Sequence, residues 1–371
     1  MSQKKKVIAV YAIAKNESKF AERWYNCVKE ADYVCVLDTG STDDTAEKFR
    51  RLGAIVEEKK YDTFMFDRAR NDSMSIVPAD ADILFCLDID ETISPGWRKM
   101  LEPAWIQAED KGIHPVCAEY ELKTWFNDKG ECMEIAQKHQ IHTRESKWVY
   151  GCHEGLRHPN GGKVVLPKEF VLEHHPDPNK SRAQYLPMLE ASVKEMPDSA
   201  RLRLFYGREL ANRQNFPAAK AELKKCVELS ALPNQDIDDL FRAEAMYYLA
   251  KVCWISHEKA AAEMWALRSV AQFPKKDNLY YLGYIYENNG DHRLACRVLE
   301  QCINTTTHIN TYPEEHEAWT GQPYGWYARA LFAMGNPDKA REMAALGLQK
   351  EPDNNGFVDL IKEIDAKTKA N

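Results

Sequence analysis

The feature that most restricts the fold of this chain is a change of sequence pattern near Pro176. Before it, short β-branched runs alternate with amphipathic segments, as residues 7–37 illustrate, whereas after it strand signals stop and helical periodicity dominates. Alternating strands and helices predict a parallel sheet with right-handed crossovers. We therefore expect an α/β domain of Rossmann-like type at residues 1–178 and an all-α domain at residues 179–371.

Charge and cysteine content exclude several protein classes. A net charge of -7 provides no general attraction to a nucleic-acid backbone. The apolar stretch at residues 7–14 is too short to span a membrane. Ten cysteines occur without a CxxC pair, which is typical of reduced thiols. We expect a cytoplasmic protein without a transmembrane segment.

The second half of the chain has a repeating helical pattern. Residues 279–286 and 326–331 each precede a glycine and a second, alanine-centred helix, and weaker copies occupy residues 202–229 and 243–273. This pattern resembles the tetratricopeptide repeat. Such a surface could bind an acceptor, pair two copies into a homo-oligomer or brace the first domain, and the sequence does not choose among these roles.

The strongest chemical signal is an apolar strand, residues 84–87, that stops at Asp88, Asp90 and Glu91. Buried carboxylates at a strand end usually meet a cation. If the strand continues, Asp88 and Asp90 point the same way, and their oxygens suit Mg²⁺ or Mn²⁺ bridging a diphosphate. The plainer interpretation is a cluster that caps the next helix.

A second polar strand end follows residues 33–37. There Asp38 precedes a Gly-Ser-Thr-Asp turn, residues 40–43, which begins a helix. Asp38 could accept a hydrogen bond from a base or ribose, although Ser, Thr and Asp are also ordinary helix-start residues. Ligands of open α/β sheets bind beyond the carboxyl ends of the strands, which favours the functional interpretation.

The order of these motifs resembles the family 2 glycosyltransferases of the GT-A fold. The residues that carry the resemblance are Ala14-Lys15-Asn16-Glu17, Asp38-Thr39-Gly40-Ser41-Thr42-Asp43, Ala69-Arg70-Asn71 and Asp88-Ile89-Asp90-Glu91. Residues 148–156 and 173–175 are similar to the His-Glu and closing His segments of lipopolysaccharide-core glucosyltransferases. Repeat-bearing members, including peptide S-glycosyltransferases of the sublancin type, pair this domain with tetratricopeptide-like helices.

The resemblance implies a role for each matching residue. It places Ala12, Lys15 and Glu17 near the nucleotide base, Asp38 on uracil or ribose, Arg70 near the diphosphate, and His153 among the donor-binding residues. It makes Asp90 the direct ligand of Mn²⁺ or Mg²⁺ and places Asp88 on the ribose or the metal. His174 or His175 would supply a further metal ligand or a phosphate contact. Adjacent residues of a strand face opposite sides, so only one of the two histidines can point inward.

The implied activity is metal-dependent, inverting transfer of a hexose or similar sugar from a UDP-sugar. Such displacement requires stabilisation of the departing diphosphate and a base for the acceptor proton. Metal and Arg70 serve the first need, and Glu154 is the predicted base. The acceptor is a saccharide, a peptide or protein, or, less favoured, a modified nucleobase, with a hydroxyl or thiol as nucleophile.

Two other functions remain open at this stage. A nucleotidyltransferase shares a similar fold and metal chemistry but usually opens with a glycine- and arginine-rich loop, which residues 14–17 do not provide. A noncatalytic repeat scaffold with a nucleotide-sugar-binding front domain would predict broken motifs. Asp38, Asp88, Asp90 and Glu154 are all present, which favours the enzyme.

Overall fold

The computed structural model describes residues 5–126, 130, 132–177, 183–233, 235, 237–309 and 314–370. Contacts divide the described chain into two compact units, one ending at Ser192 and the other beginning at Val193. Within these ranges no helix is both long enough and apolar enough to cross a membrane.

The first unit alternates strands and helices. In chain order its elements are β1 (Ile8–Ala14), α1 (Ala21–Val28), β2 (Tyr33–Asp38), α2 (Thr45–Leu52), β3 (Ile55–Glu58), α3 (Phe66–Ser75), β4 (Ile83–Cys86), β5 (Glu91–Ile93), α4 (Trp97–Asp110), β6 (Pro115–Phe126), β7 (Cys132–His142), β8 (Lys147–Val149), β9 (Gly155–Arg157), β10 (Gly162–Val165) and β11 (Val171–His174), and α5 (Tyr185–Glu195) follows.

Nine strands of the described chain form one sheet with the order β3-β2-β1-β4-β7-β6-β11-β5, and β10 pairs beside β11 along β6. Strands β1 to β4 are parallel, and β1 lies at their centre between β2 and β4. Because β1 is buried on both faces, its residues form a nearly continuous apolar run. The carboxyl ends of β1, β2 and β4 therefore meet at one edge of the sheet.

The prediction of a parallel sheet is wrong for the second half of this unit, where the sheet is mixed. Strand β7 is antiparallel to both β4 and β6, and β5 is antiparallel to β11. The cause lies in the connection between β6 and β7, which consists of residues 127–131 only. A parallel crossover needs about a dozen residues or more, so consecutive strands with so short a link pair as an antiparallel ribbon.

The second unit is helical, as the sequence predicts. Its elements are α6 (Ala200–Asn212), α7 (Phe216–Leu229), α8 (Asp239–Ile255), α9 (Lys259–Gln272), α10 (Lys276–Asn289), α11 (His292–Asn304), α12 (His316–Trp319), α13 (Gln322–Ala333), α14 (Pro337–Lys350) and α15 (Asn355–Ala370).

The helices pack as consecutive pairs, and two glycines show why. A Cβ atom on Gly207 of α6 would lie 2.7 Å from Leu223 Cγ of α7. A Cβ atom on Gly283 of α10 would lie 2.5 Å from Leu299 Cγ of α11, at the same separation along the chain. Because the leucine fills the space that a side chain would need, each glycine lets two helices approach closely. This repeated contact confirms the tetratricopeptide-like architecture.

Candidate active site

The strand that carries the acidic motif ends earlier than its apolar run. Strand β4 stops at Cys86, and the Glu91 amide donates to the Asp88 carbonyl at 2.9 Å, which closes a turn. Extension therefore does not persist through residues 88–90. Asp88 and Asp90 have different partners as a result, and each side chain is described separately below.

Arg70 of α3 links Asp88 to Glu154. Its Nη1 and Nη2 donate to the two Asp88 carboxylate oxygens at 2.8 and 3.1 Å, and its Nε donates to Glu154 Oε1 at 2.8 Å. The Arg70 side chain is only 5% exposed. The fold thus joins three residues that lie in separate sequence motifs, and it places the predicted base against a buried cation.

The charges of this cluster stabilise one another. Burial opposes the charged form of Arg70, but the Asp88 and Glu154 carboxylates raise its pKa well above the usual value. Burial also opposes ionisation of Asp88, yet the Arg70 guanidinium keeps the pKa of Asp88 below its usual value. At neutral pH the pair is therefore fully ionised.

A buried network supports the Arg70 guanidinium. The guanidinium lies 4.8 Å from the centre of the Trp148 ring. The Trp148 indole N–H donates to the Tyr11 hydroxyl at 2.8 Å, and the Asn71 side chain bonds both backbone polar groups of Trp148. Trp148 is 2% exposed, so its ring holds Arg70 in place and offers no face to a ligand.

The network ends at His142. Its Nδ1 lies 2.8 Å from the Thr143 carbonyl, which can only accept, so Nδ1 carries the proton and Nε2 accepts from the Tyr11 hydroxyl at 2.8 Å. Burial lowers the pKa of His142 to about 4, which keeps the ring neutral at pH 7. The sequence alone does not show this network, because a histidine inside a strand gives no local sign of its partners.

The Asp90 side chain lies beside His174, at the end of β11. The His174 Nε2 atom lies 3.5 Å from Asp90 Oδ2, whereas His175 lies beside Glu173 and stacks on Phe126. The Asp90 carboxylate raises the pKa of His174. The two histidines do alternate in direction, and His174 is the one that faces the acidic motif.

These residues can be compared with what a divalent ion requires. No group of three or more His, Cys, Asp or Glu side chains in the described part of the chain is arranged to hold a metal. Mg²⁺ at phosphate sites commonly takes one or two carboxylates and fills its other positions with phosphates and water. Asp90, with His174 beside it, fits that smaller requirement. Asp88 already uses both carboxylate oxygens on Arg70.

Glu91 is a buried acid of this region that was not predicted as a site residue. It is 4% exposed, and its Oε2 accepts from the Asp88 backbone N–H at 3.1 Å. Burial and the Asp88 charge raise the pKa of Glu91 to about 7. Glu91 belongs to the acidic motif of the sequence. Its burial depends on the pairing of β5 with β11, so the sequence motif alone does not show it.

At the end of β2, one carboxylate oxygen of Asp38 accepts hydrogen bonds and the other has no hydrogen-bond partner. Its Oδ1 accepts from the backbone N–H groups of Gly40 and Ser41 at 2.9 and 2.7 Å. Its Oδ2 is buried without a hydrogen-bond partner. A buried acceptor without a donor is costly unless a ligand supplies one. Asp38 therefore fits the predicted contact with a base or ribose.

The loop after β1 is tied to the loop after β2. The Asn16 backbone, in the left-handed region at φ 56°, donates to Ser41 Oγ, and its side chain accepts from the Thr42 N–H. Glu17 is buried beside this connection and donates from its backbone to Thr45. Lys15 is exposed on the same loop. These contacts hold the two predicted nucleotide-binding motifs together.

Two predicted donor-binding residues lie in different surroundings. Ala12 is fully buried inside β1, and its carbonyl accepts from the Ser73 hydroxyl at 2.9 Å, so it offers no surface to a nucleotide in this structure. His153 is exposed, has φ 52°, and its ring centre lies 5.9 Å from that of Tyr185. His153 is thus placed beside an aromatic side chain.

Together, these elements form a Rossmann-like domain with polar strand ends and a buried Arg-carboxylate cluster at the edge where such sheets bind ligands, and helical repeats follow it in the chain. Comparison with known proteins gives two matches: residues 9–157 match glycosyl transferase family 2, and residues 277–305, which contain nearly all of α10 and the whole of α11, match a tetratricopeptide repeat. The chain therefore carries a family 2 glycosyltransferase domain followed by tetratricopeptide-like helices. This domain supports glycosyltransferase activity in general.

Several solved structures are similar to part of the chain. A MamA protein is 24% identical, with coverage of 46% of this chain and 82% of that protein and a TM-score of 0.37. YrrB, described as a TPR protein with an unusual peptide-binding site, is 15% identical. The match covers 49% of this chain and 84% of YrrB, with a TM-score of 0.41. The pilF protein of Pseudomonas aeruginosa is 11% identical. The match covers 48% of this chain and 73% of pilF, with a TM-score of 0.40.

Proposed function

We propose that the first unit transfers a hexose or similar sugar from a UDP-sugar to an acceptor hydroxyl or thiol, with inversion at the anomeric carbon and dependence on Mn²⁺ or Mg²⁺. The observation that carries this proposal is the ion-paired cluster of Arg70, Asp88 and Glu154 at the carboxyl edge of the sheet. It lies within the residues matched by the glycosyltransferase family. All ten cysteines are free thiols, which supports a reducing compartment such as the cytoplasm.

The nucleotide would bind where β1 and β2 end. The unsatisfied Asp38 Oδ2 accepts a hydrogen bond from uracil or ribose, and the tied loops of Asn16 and Ser41 keep this acceptor in place. Glu17 and Lys15 complete the same edge. Binding of this kind orients the donor, so that its anomeric carbon is presented to one acceptor only.

The diphosphate would lie beyond β4, where Asp90 and a neutral His174 would hold the divalent ion. When bound, that ion neutralises charge on the departing diphosphate. Arg70 contributes indirectly, because its three hydrogen-bonding nitrogens are already used by Asp88 and Glu154.

Glu154 would accept the acceptor proton. As the acceptor oxygen or sulfur forms its bond to the anomeric carbon, the bond from that carbon to the UDP phosphate oxygen breaks, and the proton passes to Glu154. The Glu154 side chain is 15% exposed, so one face remains accessible while Arg70 fixes the other. Arg70 is thus a positioning residue that holds the carboxylate in one orientation.

The test is a panel of nucleotide sugars, each with Mn²⁺ or Mg²⁺, in which donor hydrolysis and the thermal unfolding midpoint are measured. We expect one UDP-sugar to be hydrolysed and to raise the midpoint by mass action. Asp90→Ala removes both effects, whereas Asp353→Asn, an exposed acid of the second unit, changes neither. If no nucleotide sugar binds or reacts with metal present, the noncatalytic scaffold becomes the better account.

A further inference from the structure

The helical unit contains a cavity of about 610 Å³ beside α13 and α15. This volume lies within the range of about 300 to 1,000 Å³ that is usual for small-molecule sites. A second cavity of about 270 Å³ lies nearer the start of both helices, and Arg329 and Leu360 line the two cavities alike. The two cavities therefore meet at one side chain of α13 and one of α15.

Apolar side chains from three helices line the larger cavity. Phe332 and Ala333 lie at the end of α13, Pro337 begins α14, and Leu360 belongs to α15. Leu360 is 4% exposed, and Phe332 is half-buried. Removal of apolar ligand surface from water against these residues is favourable. The cavity can therefore hold an aliphatic or aromatic group.

Four charged side chains line the same cavity, and three of them already have a partner in the protein. Glu287 Oε2 lies 2.8 Å from His292 Nδ1, and Lys367 Nζ lies 3.0 Å from Glu363 Oε1. Within the described part of the chain, the exposed side chain of Arg329 forms neither an ion pair nor a hydrogen bond. The Arg329 guanidinium is thus the charge that remains for a ligand.

The charges of the lining favour a ligand with one negative charge. A guanidinium presents parallel N–H groups that match the two oxygens of a carboxylate. A phosphate dianion would bring a larger negative charge close to Glu287 and Glu363, and like charges repel. A carboxylate joined to an apolar group therefore complements this cavity better than a phosphate does.

We propose that this cavity binds a small monocarboxylate, whose carboxylate pairs with Arg329 and whose aliphatic or aromatic group lies against Phe332 and Leu360. Every residue that lines the cavity belongs to the second unit. The site is therefore distinct from the proposed glycosyltransferase site of the first unit. The inference stands whether or not the first unit transfers a sugar.

The test uses fluorine NMR on the full-length chain with p-fluorophenylacetate and its neutral counterpart, p-fluorophenylacetamide. We expect saturable binding of the acid with an affinity about tenfold or more above that of the amide, because only the acid forms a charge-assisted pair with Arg329. The dianion p-fluorophenyl phosphate should bind more weakly than the acid. Octanoate should displace the probe, since an aliphatic group can fill the same space.

Arg329→Met should weaken binding of p-fluorophenylacetate about tenfold or more, and Arg329→Lys, which keeps the charge but not the two-point geometry, should lie between Met and the parent. Arg268→Met is the matched control. Arg268 is also exposed and follows a tryptophan by three residues, with its guanidinium 4.5 Å from the Trp265 ring centre, whereas that of Arg329 lies 6.0 Å from Trp326. Arg268 lines neither cavity.

Ala333→Phe fills the cavity while the guanidinium stays, so it should also abolish binding. An unchanged thermal unfolding midpoint shows that a variant is folded. The proposal is overturned if the acid fails to bind, if the acid and the amide bind equally, or if Arg329→Met binds like the parent. It is also overturned if Arg268→Met causes an equal loss, or if only a peptide with a free C-terminal carboxylate, and not octanoate, displaces the probe.

Discussion

Replacing Arg70 by Met tests whether the buried cation holds the site together. Met keeps the apolar stem against Trp148 but removes hydrogen bonds of 2.8, 2.8 and 3.1 Å to Asp88 and Glu154. Removing one partner of a buried ion pair costs about 3 to 5 kcal/mol, because the other charge stays buried and unpaired. Since the Asp88 side chain is 33% exposed, solvent screens part of this loss. We expect a cost of about 3 kcal/mol.

The destabilisation caused by Arg70→Met should become smaller as the pH falls. In the parent, Arg70 keeps the pKa of Asp88 below its usual value, so the pair contributes stability above the unfolded pKa and loses it as pH falls through the lowered one. Without Arg70, burial is the main remaining influence and raises the pKa of Asp88. The carboxylate then gains stability by protonation, so the deficit of Arg70→Met shrinks as the pH falls from neutral toward that raised pKa.

Hydrogen exchange in the full-length chain measures this effect within the first unit. Protection of the β1 and β4 amides, corrected for intrinsic exchange at each pH, gives the opening free energy of the sheet. Arg50→Met is the control, because the Arg50–Glu58 pair is 48% and 58% exposed and should be worth less than about 1 kcal/mol. A loss below about 1 kcal/mol for Arg70→Met, or a deficit that does not change with pH, would refute the reasoning.

Three further predictions concern binding, acid stability and packing. Asp38→Asn replaces the unsatisfied acceptor Oδ2 with an amide donor, so UDP affinity measured by calorimetry should fall about tenfold. An unchanged affinity would contradict a contact between Asp38 and the base or ribose. Because burial lowers the pKa of His142 from 6.5 to about 4, its neutral ring contributes stability that is lost as pH falls through that window. Between pH 6.5 and about 4, the free energy of unfolding in urea should fall by on the order of 3 kcal/mol less in His142→Gln than in the parent protein. An equal fall in both proteins would exclude His142 as the cause. Gly283→Ala places a Cβ 2.5 Å from Leu299 and should destabilise α10 and α11 by about 1 to 3 kcal/mol in hydrogen exchange, whereas a neutral result would mean that Leu299 moves freely.

Much of the fold could be predicted because its signals are local. The run at residues 33–37 became β2, and the helix predicted to begin at the turn of residues 40–43 became α2, with Gly53 in the left-handed conformation at its end. The repeat pattern around Gly283 became a close helix pair. Each of these signals depends on side-chain period or on one residue's backbone preference, which neighbouring residues alone determine.

Long-range pairing was predicted less well. The antiparallel strands β5 and β7 were missed, because strand direction depends on connection length and on which edge is free, not on the composition of the strand. Arg70 was expected near the diphosphate, but its nitrogens are occupied by Asp88 and Glu154. Nothing in residues 69–71 shows that partner, since Glu154 reaches Arg70 only through the loop between β8 and β9.

The sequence by itself therefore determined the two-part architecture, the positions of the polar strand ends and the chemical type of each site residue. Only the tertiary structure decided which of those residues meet: Asp90 with His174, Glu154 with Arg70, and His153 with Tyr185. The physical reason is that periodicity and residue chemistry are local, whereas burial and charge pairing arise when strands distant in sequence share one sheet.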